Sequence, residues 1–559
     1  MFSTNGKISA RQVKRMLTIE LFGLSALVLP LFALNLDGRD FLFAFLLGIL
    51  LVTLLTAVVL YLARHMKGNF FAYVKRRLGT VGGMIFGAVL FAYCFLTFLY
   101  VLRLFGDLGT DFVLREESPY VLMTMAAVAA FFLAQGELQI RSRVSEVFYP
   151  VLMYPILALI LFAAFHMDAG YLAPGTARID LETLSKGGEM VIPFGMLVLF
   201  LLLKPYVHDP EKGGRAVSEG VTFVLWTLLI LFVVLIGTFG GGGVRSLPYP
   251  AVTLMSSTEI PGGFLQRWDV IFTGLLMTGL FLSAGACLSY MKLLAKPFLR
   301  RGKERNLTLA LCILGLLAAF LAGNYEKALQ LYQVLGGRVL LPLEILFLVL
   351  LWIIERTGSR RERQGGGQRD GEEERLKAEK REKVGKILGI VTVTAVCVLV
   401  LSGCSGRELE DRKFSSVVVV PSEDIEARMD LLQQQSSQFL DYGHVKAILL
   451  YEEVAKNPIK LEEVLLYFQE HPEFAQNILV FAGGEKELKV ARENSRGIGD
   501  ELGDLYKNQP KGKEALSADL KDLLNFIFNE EPEIRIPVVS AAGEKLILDG
   551  SITVLRENS

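Results

Sequence analysis

The sequence predicts an all-α membrane bundle of ten helices with inverted five-helix repeats, followed by an eleventh span and a small extracytoplasmic α+β domain. Three observations support this fold class. The chain is 52% hydrophobic, more than is typical of soluble proteins. Its apolar residues fall into stretches of about 20, the length that crosses the hydrocarbon core of a bilayer. Residues 405–559 differ, because they hold 18 basic and 29 acidic residues.

The apolar stretches define the predicted spans and divide the chain into domains. The ten spans of domain 1–355 cover roughly 16–36, 41–63, 84–105, 119–135, 147–166, 189–205, 219–239, 270–291, 306–323 and 336–355. Residues 356–386 follow as a mixed-charge segment around three glycines, which predicts a flexible cytoplasmic linker without chemistry of its own. Residues 387–404 contain the eleventh span, and residues 405–559 form the last domain.

Basic residues indicate how the bundle is oriented. The segment before the first span, the loop between spans two and three, and the loop between spans eight and nine each hold four or more Lys or Arg residues, whereas the alternate loops hold few. Because Lys and Arg accumulate in cytoplasmic loops, both ends of the ten-span bundle are predicted to be cytoplasmic. The eleventh span then places residues 405–559 on the outer face.

Glycine and proline occur near the middles of the first and sixth spans. The first contains Gly23 and Pro30, and the sixth contains Pro193 and Gly195. The two spans occupy equivalent positions of the predicted inverted halves, and broken helices at such positions favour a binding site near the midplane. Half-helix amino termini also favour a carboxylate. The alternative is that Gly and Pro are simply frequent in membrane helices.

Three sequence stretches carry a family resemblance. They are KISARQ at 7–12, GELQIRSRVSE at 136–146, and YPAVTL at 249–254, which runs on to IPGGFLQRWD at 260–269. With these stretches in this order, residues 7–360 resemble the spore germination permease family (the GerAB/GerKB type) of the amino acid–polyamine–organocation superfamily. The resemblance implies a germinant pocket between the first and sixth helices, lined also by the third and eighth.

The resemblance supplies the predicted ligand-binding residues. They are Gly23, Ser25, Tyr93, Thr97, Pro193, Phe194 and Gly195. Tyr93 and Thr97 have an alternative role, since a Tyr and a Thr one turn apart are common in helix–helix packing.

Two acidic residues lie a turn or more inside predicted spans, where an acid is costly and usually functional. Glu344 lies deep in the tenth span, which predicts either a place in the pocket or on a proton path, or a structural pair with another helix. Glu20 lies one turn inside the first span, from which it can reach the cytoplasmic interface. Gly240–Gly243 lacks the Lys-Ser/Thr of a phosphate-binding loop and predicts a flexible link into an outer loop, 240–269, with the composition of a lid or a partner contact.

Residues 387–404 have the order of a lipoprotein signal: basic residues, an apolar stretch, then Leu401-Ser402-Gly403-Cys404. Cys404 therefore has two interpretations. Either a signal peptidase cuts before it and the cysteine is lipidated, or the segment is an uncleaved eleventh helix.

The last domain has the pattern of a mixed fold. Strands are predicted at 416–421 and 447–450, helices at 461–469 and 515–529, and a strand pair within 545–555. With the lipobox, RELED at 407–411, HVK at 444–446 and EEVA at 452–455, this part resembles the amino-terminal portion of the germination lipoprotein family (the GerAC type). The family commonly has Trp after the lipid cysteine, whereas Ser405 follows here.

These features predict a nutrient germinant-sensing subunit of a spore germination receptor. The expected partners are a small germinant, an amino acid by preference, other receptor subunits and the membrane, with no nucleic acid, cofactor or metal. The expected location is the spore inner membrane. The alternatives are a proton-coupled amino acid transporter and a fusion produced by read-through of neighbouring genes. No catalytic constellation is recognisable, so the chain is predicted not to be an enzyme.

Overall fold

The computed structural model describes residues 6–358 and 412–555, apart from short gaps. The gaps are 33–37, 115–116, 173–180, 248, 259–267, 299–303, 415–416, 421–424, 436–438, 443–444, 472–473, 494–497, 508–518, 530–532 and 543–544. The linker from residue 359 onward, the predicted eleventh span and Cys404 lie outside the described residues.

The first range is helical, and helical residues occupy all ten predicted spans. Its helices are α1 (Ala10–Phe32), α2 (Gly38–His65), α3 (Phe70–Phe112), α4 (Pro119–Gln135), α5 (Leu138–Ala163), α6 (Leu181–Glu189), α7 (Phe200–Leu203), α8 (Pro210–Ser246), α9 (Pro250–Ser256), α10 (Trp268–Ala295), α11 (Glu304–Leu321), α12 (Tyr325–Leu331) and α13 (Leu341–Gly358). A 3₁₀-helix, Ile192–Leu199, joins α6 to α7, and a π-helix, Tyr332–Leu340, joins α12 to α13.

Within the described residues, eight helical segments are long and apolar enough to cross a membrane. α1 and the 17-residue apolar α4 fill the first and fourth predicted spans but are not among these eight. The chain is therefore a membrane protein with several spans, whereas the count of ten and the inverted repeat stay predictions.

Two of the stretches that carry the family resemblance meet at the start of the bundle. Ser9 and Gln12 form a reciprocal cap on α1, since each side-chain oxygen accepts from the other residue's backbone N–H. Glu146, in the second stretch, pairs with Arg11 at 2.7 Å and accepts from Gln12 Nε2 at 3.0 Å. These contacts tie α1 to α5.

The predicted break in the first span is not seen, because α1 runs through Gly23 and Pro30 as one helix. Pro30 removes one i→i−4 donor in the last turn of α1, but the helix continues through it to Phe32. Gly23 instead allows a close crossing: a Cβ on it would lie 3.2 Å from the backbone of Gly279 in α10. Here the small residue serves helix packing.

The flexible link predicted at Gly240–Gly243 is also wrong, since α8 continues to Ser246. The helix changes direction at Gly240, whose backbone (φ +64°, ψ 176°) lies in a region that only glycine adopts readily. The glycine thus produces a kink in an ordered helix.

The second range forms a separate domain with its own core. Its helices are α14 (Ile425–Gln435), α15 (Glu452–Lys456), α16 (Pro458–Glu470), α17 (Glu485–Glu493), α18 (Ile498–Lys507) and α19 (Leu520–Phe528), and its strands are β1 (Arg412–Phe414), β2 (Val417–Val420), β3 (Phe439–Asp441), β4 (Ala447–Tyr451), β5 (Leu479–Gly483), β6 (Glu533–Ala542) and β7 (Lys545–Leu555). Strands β1 and β3 form a small parallel pair.

The other five strands form one sheet in the order β2-β4-β5-β6-β7, parallel except for β7. Helices alternate with these strands, so the domain fits the α/β class better than the predicted α+β class. β5 and β6 were not predicted, and 545–555 is one long strand paired with β6, not a strand pair. The prediction of strand within 545–555 is correct, but the strand that pairs with it, β6, lies earlier in the chain.

Candidate functional site

The sixth helical region changes its winding where the sequence places Pro193. α6 ends at Glu189, a turn follows, and Ile192–Leu199 continues as a 3₁₀-helix with every residue buried. Proline has no N–H to donate and its ring opposes α-helical packing against the preceding turn. The Phe194 N–H accordingly donates to the carbonyl of Val191 at 2.9 Å, which is the i→i−3 bond of a 3₁₀-helix.

Tyr93 of α3 contacts this irregular segment. Its hydroxyl donates to the carbonyl of Ile192 at 2.7 Å, which gives a partner to a backbone group of the altered winding. Its ring also lies against Gly195, because a Cβ on Gly195 would be 2.8 Å from Tyr93 Cζ. Tyr93 therefore bonds the third helix to the sixth, and its ring packs against Gly195.

Glu344 lies at the same place. It is fully buried in the first turn of α13, and a Cβ on Gly195 would be 3.1 Å from Glu344 Oε2. Neither carboxylate oxygen has a hydrogen-bond partner among the described residues. A carboxylate in such surroundings must be protonated or meet a cation. The predicted alternative of a structural pair for Glu344 finds no support in the described part of the chain.

Buried hydroxyls lie near this cluster. Tyr332, in the π-helix, has its hydroxyl beside those of Tyr93 and Thr97, without a well-formed bond to Thr97 Oγ1. Ser25 Oγ on α1 is fully buried and likewise has no hydrogen-bond partner in the described ranges. α1, the helix that carries Ser25, packs against the 3₁₀ segment.

The structure thus brings together Tyr93, Gly195 and Glu344. Pro193 and Phe194 lie in the same 3₁₀ segment as Gly195, and the Thr97 hydroxyl lies beside that of Tyr332. Gly23 lies at the crossing with α10. Tyr332 and the Ile192 carbonyl were missed by sequence reasoning. The adjacent pair Gly336-Gly337 inside an apolar span is the signal that could have drawn attention to the π-helix.

A second buried polar cluster was also missed. Arg141, at the start of α5, donates to Glu20 Oε1 at 3.0 Å and to the Tyr290 hydroxyl at 2.7 Å, and that hydroxyl donates to Glu20 Oε2 at 2.9 Å. All three side chains are buried, so the interpretation that Glu20 reaches the cytoplasmic interface is wrong. Arg141 also lines a cavity of about 370 Å³ together with Tyr206 and Lys292.

No group of three His, Cys, Asp or Glu side chains that could hold a metal ion occurs in the described residues. A helical protein with several membrane spans and a buried polar cluster beside a broken helix is the class that this fold and these residues define.

Comparison with protein families gives the narrower assignment. The model described as "Spore germination protein" matches residues 7–328, more than half of the chain, so the chain belongs to this family. A second model, "Spore germination protein N-terminal domain", matches residues 384–541. The sequence resemblances of both parts are thereby confirmed.

Curated relatives carry the same description. Spore germination protein YndE of Bacillus subtilis (strain 168) is 23% identical over 273 residues, 48% of this chain and 75% of the relative. Spore germination protein KB of the same organism is 25% identical over 373 residues, 62% of this chain and 95% of the relative. A solved structure, MhsT in complex with L-phenylalanine, aligns with a TM-score of 0.47 and 14% identity over 70% of this chain and 98% of that one, which is too weak a similarity to support an argument.

Proposed function

We propose that the chain is a nutrient germinant-sensing subunit of a bacterial spore germination receptor, and that it binds an amino acid where the 3₁₀ segment meets α3 and α13. The observation that carries the proposal is the unpartnered carboxylate of Glu344 against Gly195. Membership of the spore germination protein family supports the physiological setting.

The chemistry of the cluster suits a zwitterion. A buried carboxylate without a partner would pair with the ligand's ammonium group, and their attraction would offset the cost of taking each charge out of water. The hydroxyls of Ser25 and Thr97 would donate to its carboxylate, and Gly23 would allow α1 to approach closely. The ligand's side chain would decide which nutrient is recognised.

The packing at Gly195 suggests how binding becomes a signal. A Cβ there would already overlap Tyr93, so a ligand is admitted only when the helices around Gly195 move apart. A ligand that binds the opened arrangement better shifts the equilibrium towards it. Partner subunits in the spore inner membrane would respond to that shift.

The test is binding of the twenty amino acids to the purified full chain, measured as thermal stabilisation. We expect one or a few to stabilise the wild type, and neither Gly195→Trp nor Glu344→Gln to respond. Gly274→Trp is the matched control, because a Cβ at Gly274 in α10 meets open space. Stabilisation that survives both site variants would move the ligand elsewhere.

The second candidate is a proton-coupled amino acid transporter, which the unpartnered Glu344 also favours as a proton carrier. Proteoliposomes separate the two. Saturable uptake driven by a pH gradient and lost in Glu344→Gln would support transport, whereas binding without uptake would support sensing.

The lipobox defines a further step of the proposal. Cys404 would be lipidated after cleavage, which anchors residues 405–559 to the outer face. Mass spectrometry of the chain from a spore-forming host gives the answer: a diacylated Cys404 amino terminus supports cleavage, and an intact chain would mean that 387–403 is an uncleaved helix.

A further inference from the structure

The outer end of α8 has an unusual set of hydrogen bonds around its kink. Three consecutive carbonyls before or at the bend accept from groups outside the helix: Gly237 from Asp168 N–H at 2.7 Å, Thr238 from Asn525 Nδ2 at 2.9 Å, and Phe239 from Asn529 Nδ2 at 2.7 Å. A kink interrupts the i→i+4 bonding of a helix. The two asparagines therefore give partners to backbone groups that would otherwise be buried without full pairing.

Asn529 spans the bend. Besides donating to the Phe239 carbonyl, its Oδ1 accepts from Gly243 N–H at 3.3 Å. A Cβ at Gly240 would overlap the Asn529 amide, so glycine is required both for the backbone conformation and for the approach of this side chain. Gly240 thus leaves the space that the Asn529 side chain occupies, and Gly243 N–H donates a hydrogen bond to it.

Both asparagines belong to the second domain. Asn525 lies in α19 and Asn529 caps its carboxyl end, four residues apart and therefore on one face. The opposite face of α19 buries Leu520, Leu523 and Phe526 in the core of the second domain. Hence α19 packs into its own domain through its apolar face, while its polar face contacts α8 of the membrane bundle.

The location agrees with an independent argument. α8 begins in a predicted cytoplasmic loop, so its kinked end lies on the outer side, where the Lys/Arg pattern also places residues 405–559. Only 4% of Asn525 is exposed to solvent, as expected of a contact in a packed interface.

We propose that α19 is the docking element by which the outer domain binds the kinked end of α8, and that the two parts remain one assembly after the chain is cut between them. The occupant of the α8 surface is this chain's own outer domain. This inference does not depend on the ligand site at Gly195.

The experiment uses the full chain with a site-specific protease sequence placed in residues 359–386. After cleavage in detergent, we expect the two parts of the wild type to elute together in size-exclusion chromatography. Asn525→Leu with Asn529→Leu should separate them, since each lost hydrogen bond that leaves a buried carbonyl unpaired weakens binding about tenfold or more. Asn457→Ala is the matched control, because Asn457 caps α16 by accepting from Ile459 and Lys460 N–H and lies in the same domain. It should leave co-elution unchanged.

A cross-link tests the interface without relying on loss of folding. A Cβ at Gly243 would lie 3.0 Å from Asn525 Oδ1, so Gly243→Cys with Asn525→Cys, in a chain with Cys397 and Cys404 changed to Ser, should form a disulfide that joins the two parts after cleavage. Each single cysteine variant should give no joined product. Wild-type parts that separate on cleavage, a double leucine variant that still co-elutes, or an absent cross-link would each overturn the proposal.

Discussion

Two buried glutamates in the membrane part have opposite surroundings. Glu20 on α1 accepts from Arg141 and from the Tyr290 hydroxyl, and the Arg141 guanidinium also lies 4.4 Å from the centre of the Tyr290 ring. Glu344 on α13 has no hydrogen-bond partner for either oxygen within the described residues. Both are expensive to bury, but only one of them is compensated by the protein.

The difference separates structure from function. The Glu20 cluster joins α1, α5 and α10. Its charged groups pair with one another, so neither carboxylate oxygen of Glu20 lacks a hydrogen-bond donor that a ligand would have to supply. Glu344 keeps its capacity for a proton or a cation. Acidic residues in membrane spans are usually treated as functional. Here Glu20 has hydrogen-bond partners and Glu344 has none in the described residues, so Glu344 is the candidate for a functional role.

The largest effect is expected from breaking the Glu20 cluster on one side. Arg141→Met leaves Glu20 buried beside a single hydroxyl donor, and removal of one member of a buried pair costs about 3–5 kcal/mol. Thermal unfolding in detergent should therefore show a strong loss of stability or failure to purify.

The double variant Glu20→Gln with Arg141→Met supplies the control. It removes both charges, so much of the lost stability should return, since a neutral replacement of a buried pair is often tolerated. Equal stability of the single and double variants would contradict the assignment of Glu20 and Arg141 as a pair.

A smaller effect is expected at Gly195. In Gly195→Ala the new methyl group would lie 2.8 Å from Tyr93 Cζ, and the ring cannot yield freely because its hydroxyl is bonded to Ile192. Overpacking of this kind costs about 1–3 kcal/mol. Gly274→Ala, with open space around its Cβ, should leave the free energy of unfolding unchanged or raise it, because Ala favours a helix more than Gly does. An equal loss of stability in both variants would mean that the contact with Tyr93 does not set the effect.

The sequence predicted where apolar segments lie better than how they are paired. Span positions follow from local composition, so helices occur at all ten predicted places. Pro193 with Gly195 predicted an irregular sixth helix correctly, because proline acts on its own backbone. Gly23 and Pro30 led to the wrong prediction of a break in the first helix. Whether Gly23 breaks its helix or allows a neighbouring helix to approach depends on Gly279, 256 positions away in the chain. The Arg141–Glu20 pair and the Asn525–Thr238 contact are equally non-local.

Tyr93→Phe tests the link between the third and sixth helices. It removes the donor to the Ile192 carbonyl and keeps the ring against Gly195, so about 1 kcal/mol of stability should be lost. Tyr154→Phe, at an exposed tyrosine of α5, is the control for removal of a hydroxyl and should be neutral. A loss at Tyr93 equal to that at Tyr154 would mean that the bond to Ile192 adds nothing.

The smallest effect on stability, and the most informative one, is expected for Glu344→Gln. The amide has nearly the same shape, and no partner in the described residues is lost, so the free energy of unfolding should change by less than about 1 kcal/mol or rise. Stabilisation by the bound amino acid should nevertheless disappear, because the ligand's ammonium group would lose its counter-charge. Thermal unfolding with and without the amino acid measures both quantities on one sample. A loss of stability as large as that of Arg141→Met would show that Glu344 is paired within the protein like Glu20, and the contrast between the two acids would fail. A stable variant that still binds would keep the contrast and remove Glu344 from the site.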